Sequence, residues 1–115
     1  MSTISHGDIY WYDFGAAVDE RQAGLRPVLI IQTDFLNSKE GYGLTVVIPL
    51  STKGRASHVK ILPSETNGLS QETFIKFEQI HTIPKNLLRG RIGTLDPENL
   101  KRVKAQVREL LVLLS

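Results

Sequence analysis

The chain has 115 residues, of which 41% are hydrophobic and 23% charged, a balance that suits one folded domain and excludes a disordered polyelectrolyte. Folding a chain of this length should bury about 65% of its unfolded surface. It has no cysteine and a formal net charge of +2, which excludes a disulfide framework, thiolate metal sites and a thiol nucleophile. Any attraction to an anion must therefore come from where charges are placed, because their sum is small. The first residues, Met1 to His6, lack a basic stretch followed by an apolar one, and no apolar run approaches a membrane span. A soluble cytoplasmic protein with no membrane contact is expected.

Gly7 to Phe14 reads Gly-Asp-Ile-Tyr-Trp-Tyr-Asp-Phe and is expected to be a strand. Its period of two puts Ile9, Trp11 and Asp13 on one face and Tyr10, Tyr12 and Phe14 on the other. Rings of this set fill a small core, unless one is left outside beside cations, where it could stack on a base. Residues 15 to 25 break the pattern and carry Asp19, Glu20, Arg21 and Gln22. A connection this long between two strands is often a binding loop.

Gly24-Leu25-Arg26-Pro27-Val28-Leu29-Ile30-Ile31 follows. The aliphatic run predicts a strand from Arg26 to Thr33 buried on both faces. Pro27 holds its own φ and drives Arg26 into extended backbone, while Gly24 lets the loop turn sharply into it. The guanidinium thus leaves the chain at a set point beside the core. It serves either as a rim cation paired with a carboxylate or as part of a functional site.

A third strand is expected over Tyr42 to Leu50, with Pro49 ending its regular pairing. Ser51-Thr52-Lys53-Gly54-Arg55 then offers two hydroxyls and two cations, a composition that suits phosphate contacts and equally suits a solvated loop. His58 to Leu62 is a short fourth strand, Pro63 to Gly68 a turn, and Thr73 to Ile83 a fifth and longer strand. Alternation along it would place Phe74, Lys76, Glu78, Ile80 and Thr82 on one side, with Lys76 and Glu78 adjacent. Pro84 to Leu88 suits one helical turn and Arg91 to Leu95 a last strand. Asp96 as N-cap, Pro97 at the first position and Glu98 in the first turn open a helix. Its apolar stripe of Leu100, Val103, Val107, Leu110, Leu111 and Leu114 should pack on the sheet and extend into a subunit interface. The sum is a mainly β protein with a C-terminal α-helix, a small and strongly curved antiparallel barrel.

The three histidines, His6, His58 and His81, are scattered and show no metal-ligand spacing. Phosphate-binding glycine motifs and a nucleophilic serine elbow are also missing. What remains is Arg26, Ser51 or Thr52, Lys76 and Glu78, which a barrel could gather at one mouth. Such a set suits metal-independent cleavage of RNA, which brings its own 2′-hydroxyl nucleophile. Glu78 would take the 2′ proton, Arg26 would clamp the phosphorane oxygens, and Lys76 would protonate the leaving oxygen or act as a second cation. The plainer alternative is that Lys76 and Glu78 form an exposed pair on a solvated strand face.

Four segments, Gly7–Trp11, Gly24–Ile31, Val47–Thr52 and Phe77–Ile83, resemble the MazF/PemK toxins in order and approximate spacing, and the resemblance runs from about residue 7 to the end. It implies an SH3-like barrel acting as a homodimer, the toxin of a type II toxin–antitoxin pair. The implied activity is ribosome-independent cleavage of single-stranded RNA to a cyclic phosphate, without a cofactor. The implied partner is a cognate antitoxin with an acidic tail. Arg26 falls on the family's catalytic arginine and Ser51 on its catalytic threonine, with Thr52 as a neighbouring hydroxyl. Glu78 and Lys76 fall where PemK-type members place an acid and an arginine, although many MazF-type members are apolar at the Lys76 position. Arg21, Gln22, Thr52, Lys53, Gln79 and His81 are the implied RNA contacts. Arg21 stands where the family has an acid before Gln22, and His81 and Pro84 stand where it has arginine and aspartate. Two rival readings remain open: a CcdB-like toxin that poisons gyrase, whose aromatic C-terminal ending Leu111–Ser115 does not resemble, and a non-catalytic barrel that binds RNA or protein.

Overall fold

The two-sided apolar run is a central strand, as its sequence predicts. In the computed structural model, which describes residues 3–112, strand β1 (Asp8–Asp13) pairs antiparallel with β2 (Leu25–Ile30), Ile9 opposite Leu29 and Asp13 opposite Leu25. β2 pairs in turn with β3 (Leu44–Ser51). Three short strands, β4 (Val59–Ile61), β5 (Thr73–Ile75) and β6 (His81–Pro84), and the edge strand β7 (Arg91–Thr94) complete the sheet. The order is β4-β5-β3-β2-β1-β7, with β6 also paired to β3. Helices α1 (Asp34–Asn37) and α2 (Pro97–Leu110) lie outside it, and Lys85–Leu87 forms a single 3₁₀ turn. The result is a half-barrel sheet with a C-terminal helix. Among the described residues no helix is long and apolar enough to cross a membrane.

Alternation sorts the side chains into two cores. Ile9, Leu29, Ile48, Leu50 and Ile75 pack on one face beneath Val103 of α2. Tyr10, Val28, Ile30, Val47 and Ile83 pack on the other, flanked by Tyr12 and Phe14. The two faces expected for β1 are thus both realised. At α2, Asp96 accepts the Asn99 N–H at 3.0 Å with Pro97 inside the first turn. Val103 is fully buried and Leu100 and Val107 partly so, whereas Leu110, Leu111 and Val112 remain exposed. The expected stripe therefore meets the sheet over its first half only; Leu114 lies outside the described residues.

The structure corrects the reading of Thr73–Ile83 as one strand. β5 and β6 share the edge of β3 that β2 leaves free, but Lys76–Ile80 swings out between them. Pro49 is the reason. The Lys76 N–H donates to Pro49 O at 3.0 Å, and an antiparallel pair would return a bond from residue 49 to the Lys76 carbonyl. Proline has no N–H to return. The Lys76 carbonyl accepts the Gln79 N–H at 2.9 Å instead, which closes a turn and ends the ladder. Pro49, expected to end the regular pairing of β3, is the last residue of that strand paired with β2, while on the other edge it ends the partner strand and β3 itself runs on to Ser51. Lys76 and Glu78 consequently do not sit side by side on a strand face.

The connection from Leu62 to Leu69 is pinned by buried Asn67. Its carboxamide donates to Leu62 O and accepts the Ser64 and Leu69 N–H groups. This loop crosses β7 so closely that a Cβ on Gly93 would lie 2.4 Å from Thr66 O, and one on Gly68 2.2 Å from Ile92 O. Gly93→Ala must push backbone against backbone, so we expect a loss of about 1–3 kcal/mol, measurable as a lower urea midpoint at unchanged slope.

Candidate active site

Arg26 stands where the long loop rejoins the sheet. Gly24 adopts φ +73°, its N–H donates to Gly15 O at 2.7 Å and its carbonyl accepts the Phe14 N–H at 2.9 Å, so the base of the 15–24 loop is closed like a hairpin. Just beyond, the Arg26 Nε–H donates to Ala23 O at 3.0 Å. That bond fixes the plane of the guanidinium. Among the described residues no carboxylate lies within ion-pairing distance of Arg26, so the rim-pair reading is not realised.

A cleft of about 290 Å³ opens beside Arg26, with Ser51 and Thr52 in its wall. β3 delivers both hydroxyls as it runs out of the sheet. Ser51 is only 8% exposed, and its Oγ accepts the Lys53 N–H at 3.2 Å, which leaves its proton free to donate. Trp11 contributes an exposed ring and the pinned loop Gly68–Gln71 the opposite rim. Arg26, Ser51 and Thr52 are therefore brought together as anticipated, and Lys53 follows them as an exposed cation.

Lys76 and Glu78 do not line this cleft. They ride on the turn that Pro49 creates. The Lys76 ammonium has no hydrogen-bond or ion-pair partner among the described residues. Glu78 has one: His58 Nε2 lies 2.9 Å from Oε1 and 3.2 Å from Oε2. The His58 ring is nearly buried, its side chain 4% exposed, and its Nδ1 accepts the Arg55 N–H at 3.0 Å. Because Nδ1 must accept, the neutral ring carries its proton on Nε2 and donates it to the carboxylate. His58 is the residue that sequence reasoning missed. No local spacing joins it to Glu78; only the fold does.

Three of the anticipated contacts meet in a second cleft of about 270 Å³, where Arg21 and Gln22 of the long loop face His81 and Phe14, whereas Gln79 does not line it. Arg21 is bound to Asp19 through Nε at 2.9 Å, and this bond holds the Asp19 carboxyl below its usual range. The His81 ring packs 5.0 Å from that of Phe14. Burial and then the Arg21 charge push its pKa below 6.5. Its Nε2, like Gln79 Oε1, is buried without a hydrogen-bond partner.

A half-barrel with a bare arginine and two hydroxyls at its mouth is the class of protein these features define. Residues 5–111 match the family described as PemK-like, MazF-like toxin of type II toxin–antitoxin system. The chain is 31% identical over 114 residues to Endoribonuclease EndoA of Bacillus subtilis, covering 97% of each. It is 33% identical over 105 residues to Endoribonuclease MazF of Staphylococcus saprophyticus, covering 87% of this chain and 84% of that one. The crystal structure of MazF from Deinococcus radiodurans superposes with a TM-score of 0.78 at 19% identity, covering 97% of this chain and 99% of that one. An endoribonuclease in complex with its cognate antitoxin from a mycobacterial species gives 0.76 at 21%, covering 97% and 96%. The chain belongs to the PemK/MazF toxin family.

Two outcomes follow from the site. Removing the His58 ring strands the Arg55 N–H and the Glu78 carboxylate, so His58→Ala should lower stability by about 1–3 kcal/mol in a denaturant melt. The depressed pKa of His81 means that the unfolded chain binds more protons than the folded one just below pH 6.5. Stability contributed by neutral His81 is therefore present above that value and lost as pH falls through it toward the folded pKa. Urea midpoints should drop as pH falls through about 6.5, and His81→Gln should flatten the drop.

Proposed function

We propose that the chain is a sequence-selective endoribonuclease that cuts single-stranded RNA without a metal ion. The observation that carries this reading is the half-buried Arg26, with no acidic partner among the described residues, set beside Ser51 and Thr52 in one cleft. The naming of its relatives EndoA and MazF as endoribonucleases supports the same activity.

In this scheme the 2′-oxygen of RNA attacks the adjacent phosphorus while the bond to the 5′-oxygen breaks, leaving a 2′,3′-cyclic phosphate and a 5′-hydroxyl. Negative charge grows on the non-bridging oxygens only as the phosphorane forms. The two Nη groups of Arg26, with Nε anchored on Ala23, present a planar fork to that charge. Ser51 or Thr52 donates a further hydrogen bond. On the neighbouring turn, outside this cleft, Glu78 is oriented by the His58 N–H to accept the 2′ proton of an RNA that spans both, and Lys76 supplies a cation or a proton to the leaving oxygen. Arg21, Gln22, Thr52, Lys53, Gln79 and His81 hold the flanking nucleotides. The exposed Leu110 and Leu111 of α2 offer a seat for a second copy of the chain, and a cognate antitoxin, of the kind bound to the similar mycobacterial endoribonuclease, would close the RNA groove. Such an enzyme acts on messenger RNA in the cytoplasm.

Total RNA incubated with the purified protein in EDTA should yield site-selective cuts ending in cyclic phosphate. Arg26→Ala should slow cleavage by about a hundredfold or more, Ser51→Ala by less, and Glu78→Gln by about a hundredfold if it is the base. RNA bound but uncut by the parent protein would reduce the chain to a binding barrel. A full-rate Glu78→Gln enzyme would remove that residue from proton transfer.

A further inference from the structure

One concavity is larger than the Arg26 cleft. It is a cleft of about 470 Å³ between the 51–58 loop and α2, and its wall carries Arg55, Lys60 and Arg102. We propose that it is a subsite for the phosphodiester backbone of RNA beyond the step that is cut, a proposal that rests on the endoribonuclease reading.

The charges there are poorly neutralised by acids. The Arg55 side chain has no ion-pair partner among the described residues, and the Arg102 guanidinium donates to the neutral Asn99 Oδ1 at 3.0 Å. Lys60 meets Glu72 at 3.8 Å across exposed side chains, a weak pair. Asp96, at the helix N-cap, is close enough for the Arg102 charge to contribute to its lowered pKa. Three cations therefore face one cleft with two acids at its margin.

The cleft is also rigid, which distinguishes it from a fringe of solvated side chains. Gly54 lies flat on the Phe74 ring, where a Cβ would come within 2.3 Å of the ring carbon Cγ. Gln106 Nε2 donates to Ser57 O at 2.6 Å and ties α2 to the loop. Arg102 stands one helical turn before Gln106, on the same side of α2, so the tie sets its distance from the loop. At the far end of the loop His58 is locked between the Arg55 N–H and Glu78.

Continuity decides the ligand. The same loop that ends the Arg26 cleft with Ser51 and Thr52 lines this one with Gly54, Arg55 and Ala56. Thr52 and Arg55 are separated by at most about 10 Å of chain, so one strand held at the reacting phosphate can reach the second cleft. Two of the three cations are arginines, whose planar fork matches phosphate oxygens.

The test compares the parent with the double variant Arg55→Ala/Arg102→Ala on 2′-O-methyl RNA, which cannot be cut. A long random-sequence pool and a tetranucleotide pool are titrated by fluorescence anisotropy over a range of salt. Each lost phosphate contact should reduce the slope of log K against log salt by about 0.7, so the double variant should lose about 1.4 on the long pool. Its affinity there should fall about tenfold, with tetranucleotide binding unchanged. On a cleavable long RNA the loss should appear in KM with kcat retained. An unchanged slope on the long pool, or an equal loss on both pools, overturns the proposal. So does a variant that loses affinity for a polyglutamate peptide while keeping its affinity for RNA, because the cleft would then belong to an acidic peptide. A parent that binds the long pool with the expected slope yet cuts no RNA would sink the nuclease reading alone.

Discussion

Pro49 stands in the middle of β3 with its carbonyl bonded to the Lys76 N–H and no N–H of its own to return, and the arrangement of the polar residues follows from that gap. Losing one ladder bond costs about 1 kcal/mol, and the Gln79 N–H offsets part of it by taking over the Lys76 carbonyl. The chain is thereby thrown clear of the sheet for five residues, Lys76 to Ile80, before β6 rejoins β3 at His81. Glu78 lands at the crest of this excursion, where His58 can reach it. On its other edge, β3 keeps an unbroken register with β2 through Val28 opposite Pro49, so the strand carries on to deliver Ser51 beside Arg26. One missing donor thus separates the carboxylate from the hydroxyls while leaving both attached to the same strand.

The parts of the fold legible in the sequence are those decided by neighbours along the chain. Val28 to Ile30 alternate between the two cores because both faces of β2 are covered, and an uninterrupted aliphatic run records that. The helix start was legible because Asp96, Pro97 and Glu98 act within one turn. The split of Thr73–Ile83 was not, because its cause lies on another strand and the local alternation continues undisturbed through the break. The pairing of His58 with Glu78 was hidden for the same reason. Arg26 and Ser51 could be singled out by residue type and order, but whether Arg26 was already neutralised could be answered only by what surrounds it.

Arg21 and Arg26 make that last point by contrast. They sit five positions apart, at either side of Gly24, and share a side chain. Arg21 is folded back onto Asp19 through both its backbone N–H and its Nε, so its charge is spent locally, apart from the influence it exerts on His81. Arg26 leans on a carbonyl, a partner that orients a guanidinium without cancelling its charge. An arginine meant to meet charge that develops only during a reaction needs this second kind of support, because a resident carboxylate would have to be displaced at each turnover.

The 51–58 loop joins these elements into one unit. It begins at Ser51, whose Oγ takes the Lys53 N–H, and ends at His58, whose ring takes the Arg55 N–H and binds Glu78. Between them Gly54 lies on Phe74 and Ser57 is held by α2. Its hydroxyls, its cation Arg55 and the orientation of the Glu78 carboxylate are therefore set by a single backbone conformation. A substitution that loosens any of these ties should disturb the Arg26 cleft, the basic cleft and the carboxylate together. A side-chain truncation at Arg55 leaves its N–H on His58 in place and should affect the basic cleft alone.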